Sequence, residues 1–151
     1  MLQAPLAAST PSALLVELGA DVHARDEGRR TCLHCATKSA GGEGVAVEMT
    51  RLLLAAGADV KAADAQGRTP LHVVWHAECV DVLLEAGADL EARDGRDRTP
   101  AGAFVSAWSR AEVLLRLADR GADLVNAGGE AGAVERRVEE LRAKLRCDQH
   151  G

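Results

Sequence analysis

The sequence predicts an all-α repeat fold, a solenoid of about three to four helix–turn–helix units. Three observations predict it. Gly-Ala-Asp occurs four times, starting at Gly19, Gly57, Gly87 and Gly121, at spacings of 38, 30 and 34 residues. A Thr-initiated pattern occurs three times, as Thr31-Cys32-Leu33-His34, Thr69-Pro70-Leu71-His72 and Thr99-Pro100-Ala101-Gly102. An Asp stands five residues before each Thr, at Asp26, Asp64 and Asp94. A helix–turn–helix unit of this length cannot bury its own apolar face, and stacking the units solves that problem.

The best copy explains the residue types. Thr69 suits a helix N-cap, because its side chain can accept from the free N–H groups of the first turn. Pro70 falls at N1, where its missing N–H costs nothing and its fixed φ suits the helix. Leu71 begins the apolar face. His72, at N3, can reach back to the cap as the Glu of a capping box does. Gly87 falls where a helix ends on a residue of positive φ. The Asp of each Gly-Ala-Asp is a turn former.

These motifs, at a period near 33 residues, resemble the ankyrin repeat. The resemblance covers about residues 12–126. It implies an ankyrin solenoid whose loops project as β-hairpin fingers. It also implies that fingers and first helices line a concave surface that binds partner proteins.

Taken in order, residues 1–11 form an Ala-, Ser- and Pro-rich lead, frayed or a degenerate helix. Residues 12–25 form a partial repeat, with its second helix at Ser12–Leu18. Residues 26–63 form a repeat lengthened by a Gly-rich insertion at 39–44; such an insertion costs little closure entropy. Residues 64–93 form a shortened repeat, its connection compressed after Trp75-His76, so its first helix should end early. Residues 94–127 form a degenerate repeat, with Ala101 and Gly102 in place of Leu and His. There a core contact and a histidine bond are lost, and Phe104 and Trp108 offer volume to refill the space. After a Gly-rich break at 128–133 comes a charged helix at 134–146. Its Val134, Val138, Leu141 and Leu145 fall on one stripe, and Glu140–Lys144 is an i,i+4 ion pair. A helix capping the last repeat accounts for this stripe; a homodimer contact is the alternative, though so short a helix holds poorly alone.

Composition excludes several classes. Aromatic residues make up only 2% of the chain, so the interfaces must be built from Leu, Val and Ala. A net charge of −5 argues against nonspecific nucleic-acid binding, which runs on phosphate neutralisation. Residues 1–12 lack the basic start and apolar core of a signal peptide, and no run of about 18 apolar residues offers a membrane span. With four Cys and no evident pairing scheme, an intracellular setting, cytoplasmic or nuclear, is expected.

No phosphate loop, Gly-x-Ser-x-Gly or His-Glu-x-x-His motif is present, and no cofactor is expected. The expected function is non-catalytic: an adaptor or scaffold that binds another protein, one with an acidic surface if the finger arginines do the binding. The candidate partner-binding residues are Arg30, Arg68 and Arg98, which recur at one finger position, with Gln66, Arg96 and Trp75 beside them. Arg is favoured at interfaces for its planar fork, and Trp as a hot spot. Against this, an Arg on a finger is also stable as a plain solvated residue. The fingers carry Arg29 and Asp97 where the middle one has Gly67, at a place that wants φ > 0. Gly28 beside Arg29 offers a route to shift that turn by one.

The alternative function is a zinc- or thiol-dependent one using Cys32, Cys35, Cys147 and His150, whose spacing would make a complete ligand set. An extended solenoid should hold the two pairs tens of ångströms apart. Cys32 replaces the proline, and Cys35 is expected at an apolar helix position, where a thiol is a small hydrophobe.

Overall fold

The computed structural model describes residues 19, 21–39, 41–105, 110–128 and 132–149. Among these, seven helices form: α1 (Cys32–Thr37), α2 (Glu43–Ala55), α3 (Pro70–Val73), α4 (Ala77–Glu85), α5 (Pro100–Phe104), α6 (Ala111–Asp119) and α7 (Ala133–Asp148). They make two layers. The short helices α1, α3 and α5 lie side by side in one, and α2, α4 and α6 in the other. Each short helix packs on the longer one that follows it, and α7 closes the end by packing on α6.

The helix ends follow from the recurring residues. Gly57, Gly87 and Gly121 have φ of 91°, 95° and 93°, the left-handed conformation glycine adopts without strain. Each closes a Schellman pair: Ala58 N–H donates to Leu53 and Gly57 N–H to Leu54, with the same pattern at Gly87 and Gly121. The following Asp side chains accept from the N–H two residues on, at His23, Lys61, Glu91 and Val125, over 2.8–3.0 Å. The motif therefore ends one helix and turns the chain toward the next finger.

One apolar core runs through the array. Leu33, Leu71, Leu83, Leu117 and Ala101 are fully buried, and Phe104 fills space beside Ala101. Val134, Val138 and Leu141 of α7 join the same core, whereas Leu145 stays exposed. Most of the stripe is thus spent on the cap, and Arg142 adds a 2.6 Å ion pair to Asp119 of α6. The Glu140–Lys144 pair also forms, at 3.5 Å.

α3 ends after Val73, and Val74 is already extended. The short connection is tied back to the previous unit: Trp75 N–H donates to Thr37 O at 2.9 Å, and His76 Nε2 meets Ser39 O at 3.1 Å.

Three expectations change, and others fall outside the described residues. The fingers form no strand among the described residues; each is a tight turn, too short for a ladder. Gly28 does not shift the first turn, because Arg29 itself takes φ 58°, as Asp97 takes 59°. Cys35 is exposed rather than packed: α1 buries Leu33, His34, Ala36 and Thr37, which leaves Cys32 and Cys35 on its open side. The lead, the Ser12–Leu18 helix, Trp108 and His150 lie outside the described residues.

Candidate protein-binding groove

The three fingers are built alike. In each, the Asp N–H donates to the Arg carbonyl, and the residue before the Arg donates to the Asp carbonyl. The Asp carboxylate then takes both the backbone N–H and the guanidinium of the Arg. Arg30 Nε reaches Asp26 at 2.9 Å, Arg68 Nε reaches Asp64 at 3.0 Å, and Arg98 Nε reaches Asp94 at 3.2 Å. Two guanidinium nitrogens on one carboxylate oxygen, with the backbone N–H on the other, fix the guanidinium plane. Burial alone would raise the Asp64 and Asp94 carboxyls; hydrogen bonds from Arg68, Gln66, Arg98 and Arg96 outweigh it and hold both below their ordinary value. Hydrogen bonds from the Arg30 backbone and side chain hold Asp26 low as well.

Histidines tie one unit to the next. Thr31 N–H donates to His34 Nδ1 at 3.2 Å, which makes Nε2 the protonated nitrogen, and Nε2–H donates to Arg68 O at 2.8 Å. His72 repeats this, with Thr69 N–H at 3.2 Å and Arg98 O at 3.0 Å. Burial pulls both histidines below their ordinary pKa, more than the carbonyl contacts raise them. Main-chain contacts between fingers add to the tie: Ala65 N–H donates to Gly28 O, and Gly95 N–H to Gln66 O.

At Thr99 the bridge is replaced. Gly102 has no side chain, and the Ala127 carbonyl accepts the Thr99 N–H at 2.9 Å. A Cβ on Gly102 would lie 2.0 Å from that oxygen.

The fingers and the C-terminal ends of the short helices line a concave face with two adjoining cavities. One, of about 230 Å³, is bounded by Arg30, His34, Cys35, Lys38, Arg68 and Val73. The other, of about 250 Å³, lies among Arg68, Arg98, Trp75, Phe104 and Arg110. They share Lys38, Arg68 and Val73 and so form one groove. Trp75 is 39% exposed there. The Arg110 guanidinium stands 4.8 Å from the Trp75 ring centroid and 5.7 Å from that of Phe104, and Lys38 Nζ stands 5.9 Å from Trp75.

The structure thus brings Arg30, Arg68, Arg98 and Trp75 to one groove. Gln66 and Arg96 do not line it; they stand exposed at the finger tips, where their N–H groups donate to Asp64 and Asp94. Sequence reasoning missed Lys38 and Arg110. Neither belongs to a repeated motif, and the signal that could have found Arg110 is only a cation beside an otherwise scarce aromatic. Among the described residues, no group of three His, Cys, Asp or Glu stands ready for a metal ion. Cys32 and Cys35 sit on α1 and Cys147 on α7, the first and last of the described helices. No helix among the described residues is long and apolar enough to cross a membrane.

Two layers of helices joined by stacked turns define a solenoid repeat protein. The family model for ankyrin repeats, in three copies, matches residues 7–94, and the chain belongs to the ankyrin-repeat family. A search of curated proteins finds no match.

Proposed function

We propose that the chain is a non-catalytic interaction module, an intracellular adaptor or scaffold that docks a partner protein in the groove running from Arg30 to Arg110. Ankyrin repeats are in general protein-binding modules. The observation that carries this reading is Trp75: a large aromatic left 39% exposed at the floor of a concave face, in a chain with almost no aromatics. Aromatic anchors surrounded by Arg are where binding energy concentrates. Arg68 and Arg98 line the same cavity as the anchor, Arg30 lies further along the groove, and Gln66 and Arg96 extend the surface along the finger tips.

Panning a peptide-display library against the wild type and Trp75→Ala tests this. Wild type should enrich related peptides, and Trp75→Ala should bind them at least about tenfold more weakly, with an unchanged circular-dichroism spectrum. Enriched peptides that bind Trp75→Ala equally well would remove the groove from the account.

A further inference from the structure

We propose that the groove takes an acidic segment of its partner, with Lys38 and Arg110 clasping one of its carboxylates beside the Trp75 ring. This rests on the groove being the docking face. Every charged side chain lining the two cavities is cationic: Arg30, Lys38, Arg68, Arg98 and Arg110. The chain as a whole carries −5, so this face is a local inversion of its charge.

The five cations are not equivalent. Arg30, Arg68 and Arg98 already hold Asp26, Asp64 and Asp94. The Asp64 and Asp94 side chains are 2% exposed, tucked behind the Arg68 and Arg98 side chains, which are 34% and 30% exposed. Lys38 and Arg110 have no carboxylate partner among the described residues. Arg110 is also half-buried, and among the described residues it stands over the Trp75 and Phe104 rings with no carboxylate beside it, so it is oriented but not neutralised. A cation taken partly out of water without a counter-charge is an unfavourable arrangement in the free protein. A carboxylate placed between Arg110 and Lys38 would relieve it, and a preoriented guanidinium loses little freedom in doing so. A carboxylate on a flexible peptide can reach these cations from the side of the groove on which Trp75 is 39% exposed.

The test uses the full chain carrying Trp108→Phe, so that emission reports Trp75 alone. Acetylated hexaglutamate is titrated in low salt beside hexaglutamine, inorganic phosphate and hexathymidylate. Hexaglutamate should perturb the emission saturably and bind about tenfold more tightly than hexaglutamine. Lys38→Gln and Arg110→Gln should each weaken it several-fold and flatten its salt dependence, while Arg110→Lys, which keeps the charge but loses the stacked plane, should fall between Arg110→Gln and the wild type. Arg110 packs on Phe104, so each variant is first melted; if Arg110→Gln does not fold, the exposed Lys38→Gln and the Arg110→Lys variant decide. The clasp is overturned by equal binding of hexaglutamine, by unchanged affinity in the Gln variants, or by tighter binding of phosphate or hexathymidylate. Display-selected peptides that need Trp75 but ignore Lys38→Gln and Arg110→Gln would sink the clasp and leave the docking face standing.

Discussion

The helix starts at Thr69 and Thr99 share Thr-Pro and then diverge, Leu71-His72 in one and Ala101-Gly102 in the other. At Thr69, the His72 ring fills the space between one finger and the next, taking the Thr69 N–H and giving its own to Arg98 O. At Thr99, Gly102 leaves that space empty, and the chain fills it with its own Ala127 carbonyl. Both arrangements satisfy the N–H of the cap threonine, part-buried at Thr69 and buried at Thr99. The difference is what lies beyond: a neighbouring finger in one case, a returning loop and the α7 cap in the other. A lost motif residue is here a change of connection rather than decay.

That contrast can be broken most forcefully by making the two starts alike. Gly102→His restores the motif on paper but drives a Cβ into the Ala127 carbonyl. It should destabilise the chain by about 3 kcal/mol or more, read as a drop in denaturant midpoint with increased amide exchange in α7.

Removing the bridge at the other start comes next. His72→Ala leaves the Thr69 N–H without a partner and the Arg98 carbonyl with the Asp94 N–H alone, and should cost about 2 kcal/mol. The same variant sharpens the pH dependence. Unfolded, each histidine titrates near 6.5; folded, His34 and His72 titrate lower. Between those values the unfolded chain binds more protons, so the bridges' contribution is full above about pH 6.5 and is lost as pH falls. Wild type should lose melting temperature as pH falls below about 6.5, and His72→Ala should lose less. Equal slopes would show that His72 is not the titrating group.

The smallest effect concerns the first finger. Arg29 holds φ 58° where the middle finger has Gly67. Arg29→Gly should stabilise by about 0.5 kcal/mol, relief of left-handed strain partly offset by the freer unfolded chain. A loss of stability in chemical denaturation would mean that the Arg29 side chain contributes more than its backbone costs.

What was legible in the sequence was whatever acts over a few residues. The Thr–His starts, the Gly-Ala-Asp ends and the Asp–Arg fingers each close a hydrogen bond within five positions, so their spacing carries the geometry. Helix α7 was legible because its stripe has helical spacing. What was hidden spans the chain. Nothing near Gly102 points to Ala127, and nothing near Trp75 points to Arg110. Cys35 was misread because α1 is short and buries only the side facing α2 and α3; its other flank opens on the groove. The fingers read as hairpins by resemblance, but their arms are too short to sustain a ladder. The family match ends at Asp94, ahead of the unit in which Ala101 and Gly102 depart from the pattern.

The histidine bridge has a direction. Each ring belongs to one unit and its acceptor to the unit after it, so the array grows toward the C-terminus by a rule any copy of residues 64–93 obeys. A second copy spliced between residues 93 and 94 would receive the Nε2–H of His72 on its own arginine carbonyl and hand its own ring to Arg98. The same copy placed after Ala127 would find no ring to receive, because Gly102 offers none. The molecule is therefore open to lengthening at one seam and sealed at the other, and its groove could be extended by whole units without redesigning either end.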